Sequence, residues 1–493
     1  MKIRIYIIAC LLLLVSSCKN LLDVEPYSFS SDQNYYENEG QILRAVNGAY
    51  ASLQGLYTND CFYALTEMRA DNTNYQFDET DRGAQQREEI DEFMITSTNN
   101  YVNTCWRILY DNIQQTNVIL DRVDAVAFSD ESLKNRYIGE TKFLRALQYF
   151  YLVRLFGDVP LLVHEVTDPE SAFSEGRAPA EDVYGQIISD AQGAVETLPA
   201  SYSGVDMGRA TKGAALALLG EVYLTRKEYD LAVTTLEQIT ALNYSLVPNY
   251  GDNFNPATKN NAEVVFSIQY DAALQTEASN FIFMFGPSNG KMELTGFPGK
   301  LGGSNIPTPS IVNTYEEGDE RKDASIQLFD HSSNASFQEA AAFGGKIPFI
   351  KKFYHPPFLE DGRANENWPV YRYSYVLLLL AEALNEQGGD PYPYLNQVRT
   401  RAKLAPLSGL NQIELKEAIA HEQRVEVAFE NHRWFQLLRT DKAIEVITQH
   451  GIEEKSRLSR LSNASYNIRE YMLLYPIPER ETRLNGFTQN PGW

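Results

Sequence analysis

One pattern of small and large apolar residues constrains the fold of this chain more than any other feature. The pattern recurs at fixed spacing at Leu216, Leu219, Gly220, Tyr223, Ala232 and Leu236. This is the spacing of a tetratricopeptide unit, with leucines at the large aromatic positions. Gly220 and Ala232 are small enough to let the two helices of such a unit approach closely. The stretch is therefore predicted to fold as a pair of packed helices.

A second copy of this pattern lies later in the chain. Residues 379–382 (LLAE) match residues 218–221 (LLGE), and a turn at 388–391 (GGDP) separates them from an apolar pattern at Tyr394, Leu395 and Val398. Helix pairs of this kind stack on one another and bury a continuous core, and their surfaces often bind partners. The repeat predicts a mostly α-helical protein built on tetratricopeptide-like helix pairs.

Helical periodicity also marks three segments in the first third of the chain. Gln41 to Leu56, Val102 to Val123 and Glu131 to Phe156 carry apolar residues at three- and four-residue spacing. The third segment is followed by Gly157, which suits the turn after a helix, and by Pro160, which cannot extend one. We predict a helix over each of these segments.

Between the two copies the periodicity fades, from about Tyr244 to Pro369. Residues 286–309 hold six Gly and four Pro, which favours turns and irregular loops. Glu263 to Tyr270 and Phe281 to Phe285 are interpreted as short strands or extended segments, and Asn59 to Asn100 is a second region rich in Asp, Asn, Thr and Arg. Long loops on a rigid base are where binding sites tend to be built.

The length alone would suggest two or three domains, but repeat folds break that rule, and one folded body is expected over residues 18–493. Its helical scaffold is expected at about 40–243 and 370–447, a loop-rich ligand-binding insert at about 244–369, and a C-terminal tail at 448–493.

The first residues have the composition of an export signal. Lys2 and Arg4 precede an apolar run at 5–15, and Ser16, Ser17 and Cys18 follow it. Small residues before a cysteine resemble the bacterial lipobox, so residues 1–17 are predicted to be a lipoprotein signal peptide and Cys18 to be the lipidated residue. An ordinary cleaved signal with an incidental cysteine is the alternative. Acyl chains on Cys18 would anchor the protein to a membrane.

The charge and the remaining cysteines restrict function less sharply. The formal net charge is −22, which repels phosphate polymers and makes nucleic-acid binding unfavourable. Cys61 and Cys105 could form a disulfide outside the cytoplasm or remain two buried thiols, and the sequence leaves both possibilities open.

Long motifs along the chain resemble those of the SusD/RagB lipoproteins of Bacteroidetes. The matching segments, in chain order, are Leu21–Pro26 (LLDVEP), Glu140–Ala146 (ETKFLRA), Leu155–Leu161 (LFGDVPL), Lys212–Leu224, Glu263–Tyr270, Arg372–Asn385, Leu395–Ala402 (LNQVRTRA), Glu422–Glu430 (EQRVEVAFE), Arg433–Leu437 (RWFQL), Leu474–Pro478 (LYPIP) and Gln489–Trp493 (QNPGW). Gln423 and Trp493 depart from the family pattern, which usually has Arg and Tyr there.

The resemblance implies a right-handed superhelical scaffold of four tetratricopeptide-like pairs, with an irregular insert that carries the binding face. It further implies an outer-membrane protein at the cell surface that pairs with a SusC-type TonB-dependent transporter. Such proteins capture a nutrient, most often a glycan, and act as a lid over the transporter. They bind their cargo without chemistry, so no catalytic residue, metal or cofactor is expected. A peptide or other non-glycan cargo is the alternative within the family.

An enzyme, such as a surface glycoside hydrolase, is the alternative from another class, and no motif supports it. Residues 286–290 (GPSNG) match a nucleophile elbow formally, but that motif needs a strand before it and a helix after it. We expect an extended run before it and no helix in 291–303. The six histidines show no metal-binding spacing. Glu422 is interpreted as a structural carboxylate paired with an arginine such as Arg399, Arg401 or Arg424.

Candidate ligand-binding residues lie in the two loop regions. A sugar ring packs its C–H surface on a flat aromatic ring, and Asn, Asp or Arg side chains hydrogen-bond its hydroxyl groups. The residues that could do so are Asp71, Asn72, Asn74, Tyr75, Phe77, Phe283, Phe285, Asn289 and Phe297. Trp106 and Trp434 are expected in the core, whereas Trp368 could lie in either place.

Overall fold

The structure is a computed structural model that describes residues 36–79, 82–168 and 176–493. The predicted signal peptide and Cys18 lie outside the described residues. Within them the chain is mostly helical, and α1 to α18 span Glu39–Thr58, Cys61–Thr66, Gln85–Asp91, Asn100–Arg122, Glu131–Phe156, Ala180–Thr197, Lys212–Thr225, Tyr229–Thr240, Phe281–Phe285, Lys291–Thr295, Pro309–Thr314, Arg321–Ser325, Tyr373–Gln387, Tyr392–Arg401, Gln412–Glu426, Arg433–Arg439, Ala443–Arg457 and Glu479–Leu484.

The long helices pack against one another in chain order. The chain of contacts runs from α1 through α4, α5, α6, α7 and α8 to α13, which packs on α14 and α15. The helices predicted at 41–56, 102–123 and 131–156 are confirmed as α1, α4 and α5. Both predicted tetratricopeptide-like pairs are also confirmed, as α7 with α8 and as α13 with α14. Among the described residues, no helix is both long enough and apolar enough to cross a membrane.

Two glycines show how closely the helices approach and how α5 ends. A Cβ atom on Gly220 of α7 would lie 2.4 Å from Cδ2 of Leu236 on α8, so only glycine leaves the paired helix its present position. Gly157 follows α5 with φ of +72°, a backbone conformation that favours glycine. Both glycines therefore occupy positions where another residue would strain the scaffold.

Six short strands form three two-stranded antiparallel sheets in the described chain. β1 to β6 span Thr73–Asn74, Val264–Ile268, Ile306–Pro307, Ile326–Asp330, Lys346–Ile350 and Trp368–Arg372, and the pairs are β1–β3, β2–β6 and β4–β5. The β1–β3 pair has Thr73 opposite Pro307 and Asn74 opposite Ile306. It joins the polar region at 59–100, which we call the first loop, to the Gly- and Pro-rich stretch at 286–309.

The strand predicted within 263–270 is confirmed as β2, but the one predicted at 281–285 is wrong. These five residues form a single helical turn, α9, which places the rings of Phe281 and Phe285 on one side at 6.2 Å. Both rings then pack on Trp368, at 4.9 and 6.3 Å. A helical turn brings residues four apart close together on one face, whereas a strand would hold them much farther apart. The helix therefore lets both rings pack on the same tryptophan.

The nucleophile-elbow motif at 286–290 also has different surroundings from those expected. The helix α9 precedes it and the short helix α10 follows it, so the prediction of an extended run before the motif and no helix after it is wrong on both points. A strand is still missing where a nucleophile elbow needs one.

Glu422 is buried inside the protein and is paired with arginines, as predicted. Its carboxylate lies 2.5 Å from Arg321 and 2.9 Å from Arg399. Of the three arginines named from the sequence, Arg399 is a partner, whereas Arg401 and Arg424 bind other carboxylates. Since Arg321 is the first residue of α12, this pair ties α12 to α15.

A second set of fully buried charges surrounds Arg372 at the end of β6. Its guanidinium lies 2.9 Å from Glu263, 2.7 Å from Glu426 and 2.9 Å from Glu430. Arg401 completes the set through Glu263 and Glu426, at 2.8 and 2.5 Å. These charges link the start of β2 and the end of β6 to the C-terminal ends of α14 and α15.

The remaining core predictions concern tryptophans and cysteines. Trp106 and Trp434 are buried, as predicted, and Trp368 belongs to the core too. Cys61 and Cys105 are buried free thiols. The division of the chain into scaffold, insert and tail stays a prediction.

Candidate functional site

Asp71 and Asn72 of the first loop are part of the protein interior. Asp71 lies 2.8 Å from Arg424 and 2.7 Å from Arg433, and Asn72 donates a hydrogen bond of 3.0 Å to Glu67. Burial alone would raise the pKa of Asp71, but Arg424 and Arg433 outweigh it and hold that pKa well below its usual range. These two side chains fix the loop against α15 and α16.

Asn74 and Tyr75 also point inward. The amide of Asn74 donates to Glu454 at 3.0 Å. The hydroxyl of Tyr75 donates to Glu92 and accepts from Arg460, and burial raises the pKa of Tyr75 above its usual value. Only 1% of Tyr75 is exposed, so its ring offers no face to a surface ligand.

Phe285, another aromatic candidate, is a core residue in this structure. Its ring lies 4.8 Å from Tyr63 and 6.1 Å from Phe353, and 1% of the residue is exposed.

Four candidates reach the surface: Phe77, Phe283, Asn289 and Phe297 are each half-buried. The ring of Phe77 lies 4.9 Å from the guanidinium of Arg82. The ring of Phe283 lies 5.6 Å from Phe358 and 6.0 Å from the ammonium of Lys291. We define the aromatic face as Phe77, Phe283, Phe297 and Phe358, with the polar side chains beside them.

Asn289 is held in place beside this face. Its amide nitrogen donates to Ser333 at 2.6 Å and to Asn334 at 2.8 Å, and its oxygen accepts from Gln76 at 3.3 Å. Because these partners fix the amide, Asn289 presents its remaining hydrogen-bonding capacity in one orientation.

Three ion pairs cross the aromatic face. Lys300 lies 2.8 Å from Asp78, Lys291 lies 2.9 Å from Asp361, and Arg82 lies 2.8 Å from Glu88. The first two join segments that are far apart in sequence. The Lys300–Asp78 pair brings the segment that follows Phe297 next to the segment that follows Phe77.

A polar cleft adjoins the aromatic face at Arg82. It has a volume of about 870 Å³ and is lined by Asn59, Asp60, Arg82, Gly83, Gln85, Gln86, Glu89, Thr98, Asn100, Tyr101 and Thr104. Amide and hydroxyl groups dominate this lining, and burial raises the pKa of Asp60. The cleft walls offer many hydrogen-bond donors and acceptors in both directions, as a polyhydroxylated ligand requires.

Sequence reasoning did not single out the cleft residues, because they come from three separate segments. The enrichment of 59–100 in Asp, Asn, Thr and Arg was the available signal. No group of three or more His, Cys, Asp or Glu side chains suited to a metal ion occurs in the part of the chain that the structure describes.

Two family models match this chain. The model of the SusD family matches residues 346–493. A second model, described as "Starch-binding associating with outer membrane", matches residues 20–224.

Individual relatives match over most of their length. The chain is 28% identical to SusD-like protein P2 of Formosa agariphila over 520 residues, covering 100% of each chain. It is 23% identical to starch-binding protein SusD of Bacteroides thetaiotaomicron over 466 residues, covering 79% of this chain and 81% of that protein.

Solved structures share the fold. A laminarin-binding SusD-like protein superposes with a TM-score of 0.78 at 27% identity, covering 93% of this chain and 100% of that one. A SusD superfamily protein from Parabacteroides distasonis superposes with a TM-score of 0.78 at 26% identity, covering 92% and 99%. The helix-pair scaffold, the ordered motifs and these matches show that the chain belongs to the SusD/RagB family.

Proposed function

We propose that this protein binds an oligosaccharide on the aromatic face and hands it to a SusC-type TonB-dependent transporter in the outer membrane. The observation that carries the proposal is the set of half-exposed rings, Phe77, Phe283 and Phe297, beside fixed polar side chains. Rings of this kind can pack on sugar C–H surfaces while the adjoining polar cleft hydrogen-bonds hydroxyl groups.

The relatives support this cargo class. One solved structure is a laminarin-binding SusD-like protein, and one relative is the starch-binding protein SusD. The candidate residues that we retain for ligand contact are Phe77, Phe283, Asn289 and Phe297. Asp71, Asn72, Asn74, Tyr75 and Phe285 are buried, so we do not retain them for ligand contact.

The location and partner are part of the same proposal. The second family model is described by association with the outer membrane. We propose that Cys18 carries the lipid that tethers the protein there, with the body at the cell surface. Transfer to the transporter would follow from opening and closing of this body over it, without any covalent step.

Binding to a glycan panel tests the proposal. The protein from residue 19 onward is titrated calorimetrically with laminarin, soluble starch and other glycans, and a peptide mixture serves as the competing cargo class. We expect saturable binding of one glycan class without release of reducing sugar. Binding of peptides alone, or glycan cleavage that is lost with a single carboxylate substitution, would contradict the proposal.

A further inference from the structure

Each aromatic ring at the two ends of the face lies beside a cation that a carboxylate neutralises. Phe77 has Arg82 at 4.9 Å and Arg460 at 5.0 Å, and Phe283 has Lys291 at 6.0 Å. Arg82 lies 2.8 Å from Glu88, Arg460 lies 3.0 Å from Glu339, and Lys291 lies 2.9 Å from Asp361. The positive charge that would meet a ligand at either ring is therefore already balanced.

Lys300, a further cation of the face, is balanced in the same way. Lys300 lies 2.8 Å from Asp78, and the lysine side chain is 60% exposed whereas the aspartate is 25% exposed. In the second pair Lys291 is 13% exposed and Asp361 is 49% exposed. Both carboxylates thus remain accessible to solvent at the surface where a ligand would lie.

Further carboxylates surround these pairs. Glu79 is exposed next to Asp78, and Glu293 is half-exposed, with its carboxylate 3.6 Å from the imidazole of His331. Asp60 and Glu89 line the adjoining cleft. Among the described residues of the face and cleft, negative charges therefore outnumber positive ones, in keeping with the net charge of −22 for the whole chain.

We propose that the aromatic face selects uncharged oligosaccharides and rejects sulfated or carboxylated ones, and that Asp78 and Asp361 determine this selectivity. The inference rests on the proposed function and specifies its substrate class. An anionic sugar would have to approach rings whose flanking cations are already neutralised, through a field that repels it. A neutral sugar meets no such barrier and still finds the rings and the fixed hydrogen-bonding groups.

Laminarin and chemically sulfated laminarin test the proposed selectivity, because they share the same sugar chain and differ in charge. Titrations at low ionic strength compare the wild-type protein with the double variant Asp78→Asn, Asp361→Asn, which keeps the side-chain size and removes both charges. We expect the wild type to bind laminarin at least about tenfold more tightly than its sulfated form. The double variant should gain about tenfold affinity for the sulfated form, and added salt should abolish the gain.

Asp441→Asn is the matched control. Asp441 is paired with Lys227 at 2.5 Å on the helical scaffold, and both side chains are exposed. This variant should bind both probes like the wild type. A double variant that gains no affinity, or a wild type that binds sulfated laminarin as tightly as laminarin, would overturn the selectivity while leaving glycan binding intact. If neither probe nor any other glycan binds to either protein, the proposed function itself fails.

Discussion

The ammonium nitrogen of Lys300 lies 2.8 Å from a carboxylate oxygen of Asp78. The two residues are far apart in the chain, so this pair fastens the loop that holds Lys300 to the loop that holds Phe77 and Asp78. Together with the β1–β3 pair it makes two separate segments into one surface. A ligand that spans Phe77 and Phe283 would cross this junction.

Phe283 and Phe285 lie in the same short helix, but we expect the first to affect glycan binding and the second to affect the stability of the fold. Phe283→Ala removes a half-exposed ring, and we expect about tenfold weaker glycan binding, or about 1.4 kcal/mol, with little change in melting temperature. Phe285→Ala removes a core ring and should cost about 3–5 kcal/mol of stability. Calorimetric titration and thermal unfolding of both variants measure these effects. Unchanged affinity in folded Phe283→Ala would remove that ring from the site.

Glu426 should make stability depend on pH in the acid range. Burial alone would raise its pKa, but Arg401, Arg372 and Arg321 outweigh burial and place the pKa well below its usual value. A carboxylate with a lowered folded-state pKa stabilises the protein above its unfolded pKa of about 4.3, and this contribution is lost as pH falls toward the folded-state value.

The variant Glu426→Gln isolates this contribution. At pH 7 it should be less stable by about 3–5 kcal/mol, because it leaves buried arginines without their carboxylate. As pH falls below about 4, the unfolded wild-type chain takes up a proton at Glu426 while the folded protein still holds the carboxylate ionised, so the stabilisation shrinks and the difference in melting temperature should narrow. The exposed Glu237→Gln should match the wild type throughout. A difference that stays constant down to acid unfolding would contradict the assignment.

Gly220 should tolerate no side chain, although alanine is the better helix former. A Cβ there would lie 2.4 Å from Leu236, and the resulting overpacking should cost about 1–3 kcal/mol in Gly220→Ala. Gly48 in α1 has no atom within 4 Å of the added Cβ, so Gly48→Ala should stabilise by about 0.5–1 kcal/mol. Thermal unfolding should show a lower melting temperature for Gly220→Ala and a higher one for Gly48→Ala than for the wild type. A stabilised Gly220→Ala would show that the helix pair is packed less tightly.

Cys61 and Cys105 should behave as inaccessible thiols. Their mutual hydrogen bond and burial raise the pKa of Cys105 well above its usual value, which leaves little thiolate to react. The protein from residue 19 onward should resist a thiol reagent when folded and react at both cysteines in denaturant without reductant. Failure to react in denaturant would show that the two cysteines are joined as a disulfide.

The helical scaffold could be predicted because helical periodicity, and small residues where helices cross, are local patterns that the sequence alone shows. The segment Phe281–Phe285 shows the limit of that reasoning. Four of its five residues are aromatic or aliphatic and the fifth is methionine, so the run has no periodicity that distinguishes a helical turn from a strand. Its packing on Trp368 decided the outcome, and that contact joins residues distant in sequence.

The same limit applies to the candidate site. Residue type and loop position pointed to Tyr75 and Phe77 equally, yet Tyr75 is buried by Glu92 and Arg460 while Phe77 reaches the surface. Partners that are distant in sequence decided which ring faces inward. The polar cleft could not be predicted from the sequence for the same reason. Its walls come together only when residues 59–60, 82–89 and 98–104 fold against one another.

A crystal structure of the protein with an oligosaccharide from the glycan that binds most tightly would show directly whether the aromatic face is the binding site. We expect sugar rings packed on Phe77 and Phe283, with hydroxyl groups hydrogen-bonded to Asn289 or to the lining of the polar cleft. Sugar bound on the helical scaffold, with the aromatic face empty, would contradict it.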